Sequence, residues 1–149
     1  MNALHEDPTR VMLADDDDDD YFVFSLAIKE LSFAVLLTRA ENGDILMKLL
    51  EEKHPDILFL DILMPCKSGQ QCLKEIRANS KYDSLPIIVY SSLQDLANIE
   101  FCYREGSNLY AIKPSSLPEL KNVLEKIFSI DWKKMLFFPP MSQFVINPS

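Results

Sequence analysis

Five short apolar runs recur along the chain, separated by longer amphipathic stretches: RVMLA, FAVLLT, DILFLD, PIIVYSS and NLYAIKP. No other feature of the sequence constrains the fold as much. Several runs are apolar at consecutive positions rather than at every second one, which suits strands covered on both faces of a parallel sheet. Parallel neighbours need crossover connections, and the stretches between the runs have helical spacing. Phe24, Ile28 and Leu31 form one stripe between Tyr21 and Leu31, and Ile45 and Leu49, with Leu46 and Leu50 beside them, form another between Asn42 and Lys53. A third helix is predicted from about Ser68 to Asn79 and a fourth from about Asp95 to Glu105, with Gly106 as its stop. A fifth opens at Ser116-Leu117-Pro118-Glu119, which has capping-box spacing and a proline in the first turn. Five strand–helix units in strict alternation give right-handed crossovers and a doubly wound α/β sheet with helices on both faces.

A chain of 149 residues fits one such domain. Residues 9–129 are assigned to it, residues 1–8 to an N-terminal extension and residues 130–149 to a C-terminal extension. The last stretch, DWKKMLFFPPMSQFVINPS, is too rich in aromatic residues for a solvated tail, so it either packs back on the domain or serves as a partner contact. Formal charge is −8, but Asp15 to Asp20 supply six of the negatives and the remainder is close to balance. No basic patch is left to drive non-specific binding to nucleic acid or to an anionic membrane. The cysteines, Cys66, Cys72 and Cys102, are odd in number and lack CxxC spacing, which argues against a disulfide framework or a zinc site and for a reducing compartment. The first residues lack a leader pattern, and no apolar run approaches the ~18 residues of a membrane span. A cytoplasmic location is expected.

In doubly wound sheets ligands bind beyond the carboxyl ends of the strands. Strand one runs into Asp15 and Asp16, strand three into Asp61, strand four into Ser91 and Ser92, and strand five into Lys113-Pro114. The fold gathers all of them at one edge. Three carboxylates there repel one another, each pair by about 4 kcal/mol at ~4 Å and an effective dielectric of ~20. A divalent cation offsets that cost, and Mg2+ characteristically takes one or two carboxylates, waters and a phosphate. Lys113 adds a fixed positive charge and Ser91 a hydroxyl that donates and accepts. A carboxylate nucleophile, a metal, a cation and a hydroxyl are the parts of a phosphoryl-transfer site that works through an aspartyl phosphate.

These residues resemble the receiver domain of two-component response regulators. The resemblance is carried by the acidic pair Asp15-Asp16, by FLDILMPCKSG with Asp61, Met64-Pro65 and Gly69, by Ser91 in IIVYSS, and by GSNLYAIKP with Tyr110 and Lys113-Pro114. It covers about residues 9 to 129 and implies a flavodoxin-like (βα)5 sheet of strand order 2-1-3-4-5. By the same resemblance Asp61 is the phosphoacceptor, and Mg2+ is held by Asp15, Asp16, Asp61 and the backbone carbonyl of Leu63. Ser91 binds the phosphoryl group, Lys113 pairs with it, and Tyr110 rotates inward as the switch. The implied donor is a histidine kinase or histidine phosphotransfer protein. A downstream protein target then reads the face of the fourth helix, fifth strand and fifth helix. Neither DNA nor membrane is an implied partner, and a homodimer is a further form of output. The chain after Gly106 is expected to leave no room for a DNA-binding output domain, so a stand-alone regulatory phosphoacceptor is expected.

Some positions depart from the family pattern. Leu63 and Leu93, two residues beyond Asp61 and Ser91, are apolar where family members often carry polar or charged groups. They are expected to shield the acyl phosphate from water and slow its hydrolysis. Ser92 stands where a smaller alanine is commoner and is expected to narrow access to the site. Asp17 to Asp20 are read as a loop and helix start, the last three of them solvated acids favoured by the macrodipole. Cys66 is a free thiol beside the site, His5 is assigned no role, and His54-Pro55 marks a helix-to-strand turn. The rival readings are a degenerate receiver serving as an interaction module and a Mg2+-dependent aspartyl-phosphate phosphohydrolase. The latter needs a second acid two residues beyond its nucleophile, where this chain has Leu63. A flavin carrier on the same strand order is disfavoured because the aspartate run would repel its phosphate.

Overall fold

The computed structural model describes residues 7–132 and 138–148; His5 and part of the C-terminal extension lie outside them. The elements are β1 (Thr9–Ala14), α1 (Asp18–Lys29), β2 (Val35–Ala40), α2 (Gly43–Lys53), β3 (Ile57–Leu60), α3 (Gly69–Ala78), β4 (Ile87–Ser91), α4 (Leu96–Arg104), β5 (Leu109–Ile112) and α5 (Leu117–Phe128). A short α6 (Met141–Phe144) and β6 (Val145–Ile146) follow. All pairings are parallel, in the order β2-β1-β3-β4-β5-β6. The order 2-1-3-4-5 expected from the sequence is therefore present, and a sixth strand is added beside β5.

Local chemistry explains where the elements begin. Helix α1 starts at Asp18, three residues before Tyr21, because the Asp17 side chain accepts from the backbone N–H of Asp20 and caps it. Asn42, Ser68, Asp95 and Ser116 cap the next four helices in the same way, and Ser68 forms a full capping box with Gln71. Strand β2 lies two residues later than the apolar run suggests, since its register against β1 pairs Thr9 with Val35 and Ala14 with Ala40. His54 closes α2 in a left-handed conformation, φ 46°, at the predicted turn.

Successive strand residues alternate between two cores. Met12, Leu58, Leu60, Val89 and Tyr110 face α2, α3 and α4, while Val11, Leu13, Phe59, Ile88 and Ala111 face α1 and α5. Full burial of each large apolar side chain contributes about 1.5–3 kcal/mol. Arg77 of α3 ties the ends of several elements together. Its guanidinium donates to the carbonyls of Gly106, Tyr82 and Leu85 and to Asn108 Oδ1, at 2.7–3.0 Å. Beyond α5, the Trp132 indole donates to the Ile127 carbonyl at 3.1 Å, and Ile130 and Trp132 pack on the α1/α5 core. Among the described residues, no helix is long and apolar enough to cross a membrane.

Candidate functional site

The carboxyl ends of β1, β3, β4 and β5 bring the predicted residues to one edge. Asp15 is fully buried, Asp61 is 5% exposed and Asp16 is open to solvent. One carboxylate oxygen from each lies within 4.8 Å of the others. Backbone donors hold two of the three side chains in place. Asp15 Oδ1 accepts from the N–H of Asp17 at 3.0 Å, and Asp61 Oδ1 accepts from the N–H of Ile62 at 2.7 Å. Gly69 is required beside them: a Cβ there would sit 2.1 Å from the Asp61 carbonyl oxygen, so only glycine lets α3 begin this close to β3.

Lys113 reaches across from the end of β5. Its Nζ lies 2.9 Å from Asp15 Oδ2, 2.9 Å from Asp61 Oδ2 and 2.7 Å from Asp20 Oδ2. Burial alone would lower the lysine pKa. The hydrogen bond it donates to Asp20 and the charges of Asp61 and Asp15 outweigh it and raise the pKa, so the ammonium stays charged. Asp15 is displaced the other way. Burial pushes its carboxyl up to about 6, against the Asp17 N–H and Lys113, which pull it down.

One lysine does not neutralise this many carboxylates, and the donor set fits a hard divalent cation. Asp15 Oδ2 is fully buried with the Lys113 ammonium 2.9 Å away, and a carboxylate oxygen so placed keeps a lone pair for a cation. Leu63, whose carbonyl was expected to join the ligands, lies in the β3–α3 loop with its side chain 59% exposed.

The other aspartates of the run have separate duties. Asp17 is the cap of α1, and Asp18 pairs with Arg39 Nη1 at 2.8 Å. Arg39 Nε also donates to the Asp15 carbonyl, and its guanidinium stacks 4.8 Å from the Tyr21 ring, so it braces the acidic loop from β2. The expectation that Asp20 is a solvated helix-start acid is corrected: it binds Lys113. The missed signal is helical spacing, because Asp20 lies one turn before the buried Phe24 and so shares its inward face. Arg39 carries no comparable signal in the sequence.

At the end of β4, Ser91 is fully buried, and its Oγ accepts from the N–H of Leu93 at 3.2 Å. The Tyr110 hydroxyl donates to the Leu93 carbonyl at 2.7 Å, and the ring is wholly inside the protein. Burial pushes its phenol up to about 12, so it remains a donor at neutral pH. Leu93 packs partly against the α2–α4 core, whereas Ser92 is exposed. Cys66 is an exposed free thiol, and Cys72 and Cys102 are buried free thiols.

Comparisons with known proteins agree with this geometry. The family model described as "Response regulator receiver domain" matches residues 11–125. A probable C4-dicarboxylate response regulator, DctR of Bacillus subtilis, is 32% identical over 117 residues, covering 78% of this chain and 51% of that protein. The chain thus spans about half or less of the length of the curated relatives it matches. Solved structures of response regulators share the fold. The Mn2+-bound form of the response regulator Rcp1 superposes with TM-score 0.75 at 23% identity, covering 89% of this chain and all of that one. The phosphorylated cyanobacterial phytochrome response regulator RcpA gives 0.78 at 21% identity, covering 90% of this chain and all of that one.

Proposed function

Because the chain belongs to the response regulator receiver domain family, we propose that it is a phosphoacceptor switch in which Asp61 takes a phosphoryl group from a histidine kinase or phosphotransfer protein. The observation that carries the reading is the shared Lys113: a charged ammonium within 2.9 Å of Asp61 in a buried, acidic, cation-fitting edge. A carboxylate oxygen of Asp61 attacks the donor phosphorus, the donor group leaves, and an acyl phosphate remains. Lys113, freed from part of its carboxylate load, pairs with a phosphoryl oxygen, and Ser91 Oγ offers a hydrogen bond to another. Mg2+, held by Asp15, Asp16 and Asp61 with the Leu63 carbonyl, would neutralise phosphoryl charge when bound. A response regulator of the same fold, Rcp1, has a Mn2+-bound form, which is in keeping with a divalent cation for this chain.

Output passes by protein contact at the face of α4, β5 and α5, around Ser91 and Tyr110, where β6 covers the β5 edge and a partner engages the flanking helices or displaces that strand. Turnover of an external substrate is not part of the reading, since Leu63 occupies the place a second acid would need. Free thiols are in keeping with a reducing, cytoplasmic setting. Intact mass after incubation with Mg2+ and acetyl phosphate tests the reading. One added phosphoryl group that requires the metal and is absent from Asp61→Ala is expected. Mg2+ binding without phosphoryl uptake from any donor, a histidine phosphotransfer protein included, would favour a phosphorylation-independent interaction module.

A further inference from the structure

We propose that Phe144 is a positioning residue for Tyr110: the C-terminal segment Met141–Ile146 wedges the tyrosine inward and couples its own docking to the phosphoryl site. The inference rests on the phosphoacceptor reading above and adds to it a part of the chain outside the matched family region.

The segment occupies the edge that β5 would otherwise expose. Val145 pairs with Tyr110 and Ile146 with Ala111. Phe144 is fully buried, its ring 6.2 Å from that of Tyr110 and 5.1 Å from that of Tyr103 on α4 in an edge-to-face contact. Val145 packs toward the α2–α4 core and Ile146 toward the α1/α5 core, so the segment straddles the sheet edge between α4 and α5.

A continuous set of contacts leads from there to the site. Phe144 backs the Tyr110 ring, the Tyr110 hydroxyl holds the Leu93 carbonyl, the Leu93 N–H holds Ser91 Oγ, and the Ser91 carbonyl accepts from the N–H of Lys113 at 3.0 Å. Interiors are close-packed, so the Tyr110 ring has no room to leave its inward position while Phe144 is seated. The segment is also built to come away. Helix α6 has four residues and no side-chain cap, and β6 has two residues, which places them at the low-stability end of the fold. Seated and unseated forms thus make a two-state element that the phosphoryl site and the C-terminus both bias, and such coupling is reciprocal.

The test uses the full chain and beryllium fluoride with Mg2+ as a mimic of the acyl phosphate. Wild type, Phe144→Ala and Phe144→Leu are compared for mimic affinity by calorimetry, and hydrogen exchange at Val145 and Ile146 is followed with and without the mimic. The expected result is a weakening of about 5- to 50-fold for Phe144→Ala, a partial rescue by leucine, and slower exchange at both amides in wild type on binding the mimic. A residue that only stabilised the fold would leave affinity and mimic-dependent exchange unmoved. Unchanged affinity in a Phe144→Ala protein that still unfolds cooperatively would overturn the inference. Should that variant not fold, exchange in wild type decides alone, and indifference to the mimic overturns the proposal. Failure of wild type to bind the mimic overturns the phosphoacceptor reading and this inference together, whereas normal binding with a silent Phe144 overturns this inference only.

Discussion

Replacing Asp15 by asparagine is expected to stabilise the metal-free protein at neutral pH. Asp15 is fully buried, and its carboxyl is pushed from its ordinary 3.8 up to about 6. Each pKa unit is worth about 1.4 kcal/mol, so holding this side chain ionised at pH 7 costs the folded state about 3 kcal/mol. Asparagine keeps the Oδ1 acceptor for the Asp17 N–H but loses the attraction of Oδ2 to Lys113, which retains Asp61 and Asp20. The net gain is estimated at about 1–2 kcal/mol, or roughly 3–6 °C in Tm for a chain of this size. The folded state binds the Asp15 proton more tightly than the unfolded state does. The wild-type contribution is therefore most favourable below about pH 4 and is lost as pH rises to about 6. The advantage of the variant must then shrink toward pH 4 and level off above pH 6. Urea denaturation in EDTA across pH 4–8 reads this directly. With Mg2+ added, the wild type should gain stability and the variant much less. Destabilisation by Asp15→Asn in EDTA at pH 7, or a gain that does not change with pH, would show that the buried carboxylate is not the strained group described here.

Asp20→Asn should speed phosphorylation by acetyl phosphate about 3- to 10-fold, because it removes one carboxylate from Lys113 and one negative charge from the path of a dianionic donor. Raising salt should erase much of the difference, and an unchanged rate would leave Asp20 a bystander. Leu63→Asn combined with Leu93→Glu is expected to raise the autodephosphorylation rate at least several-fold, read as phosphoryl decay by intact mass. An unchanged or lower rate would refute the apolar shield. Arg77→Ala should cost about 3–5 kcal/mol in urea unfolding, since it leaves buried carbonyls and Asn108 without their charged donor. A loss under 1 kcal/mol would contradict the bracing role of that guanidinium.

The doubly wound fold was legible because apolar runs such as DILFLD and PIIVYSS are buried on both faces and cannot be read as amphipathic helix. Asp15, Asp16, Asp61, Ser91 and Lys113 were legible as a group because each ends a strand, and the topology alone carries strand ends to one edge. Asp20 was hidden by its neighbours: in a run of six identical residues only the helical phase set by Phe24 separates an inward carboxylate from solvated ones. Arg39 and Arg77 were hidden because their partners are mostly backbone carbonyls and residues distant in sequence, which no local pattern reports. The last strand escaped for a related reason. Val145 and Ile146 form too short an apolar run to register as a strand, and their pairing depends on the exposed edge of β5.

Borohydride reduction of the acyl phosphate, followed by peptide mapping, tests the central claim most directly, because it converts a phosphorylated aspartate to homoserine at the residue that carried it. Homoserine at position 61, formed only when donor and Mg2+ were both present, is the predicted result. Homoserine at position 15, 16 or 20 instead, or a stable phosphoryl adduct with no homoserine anywhere, would contradict it.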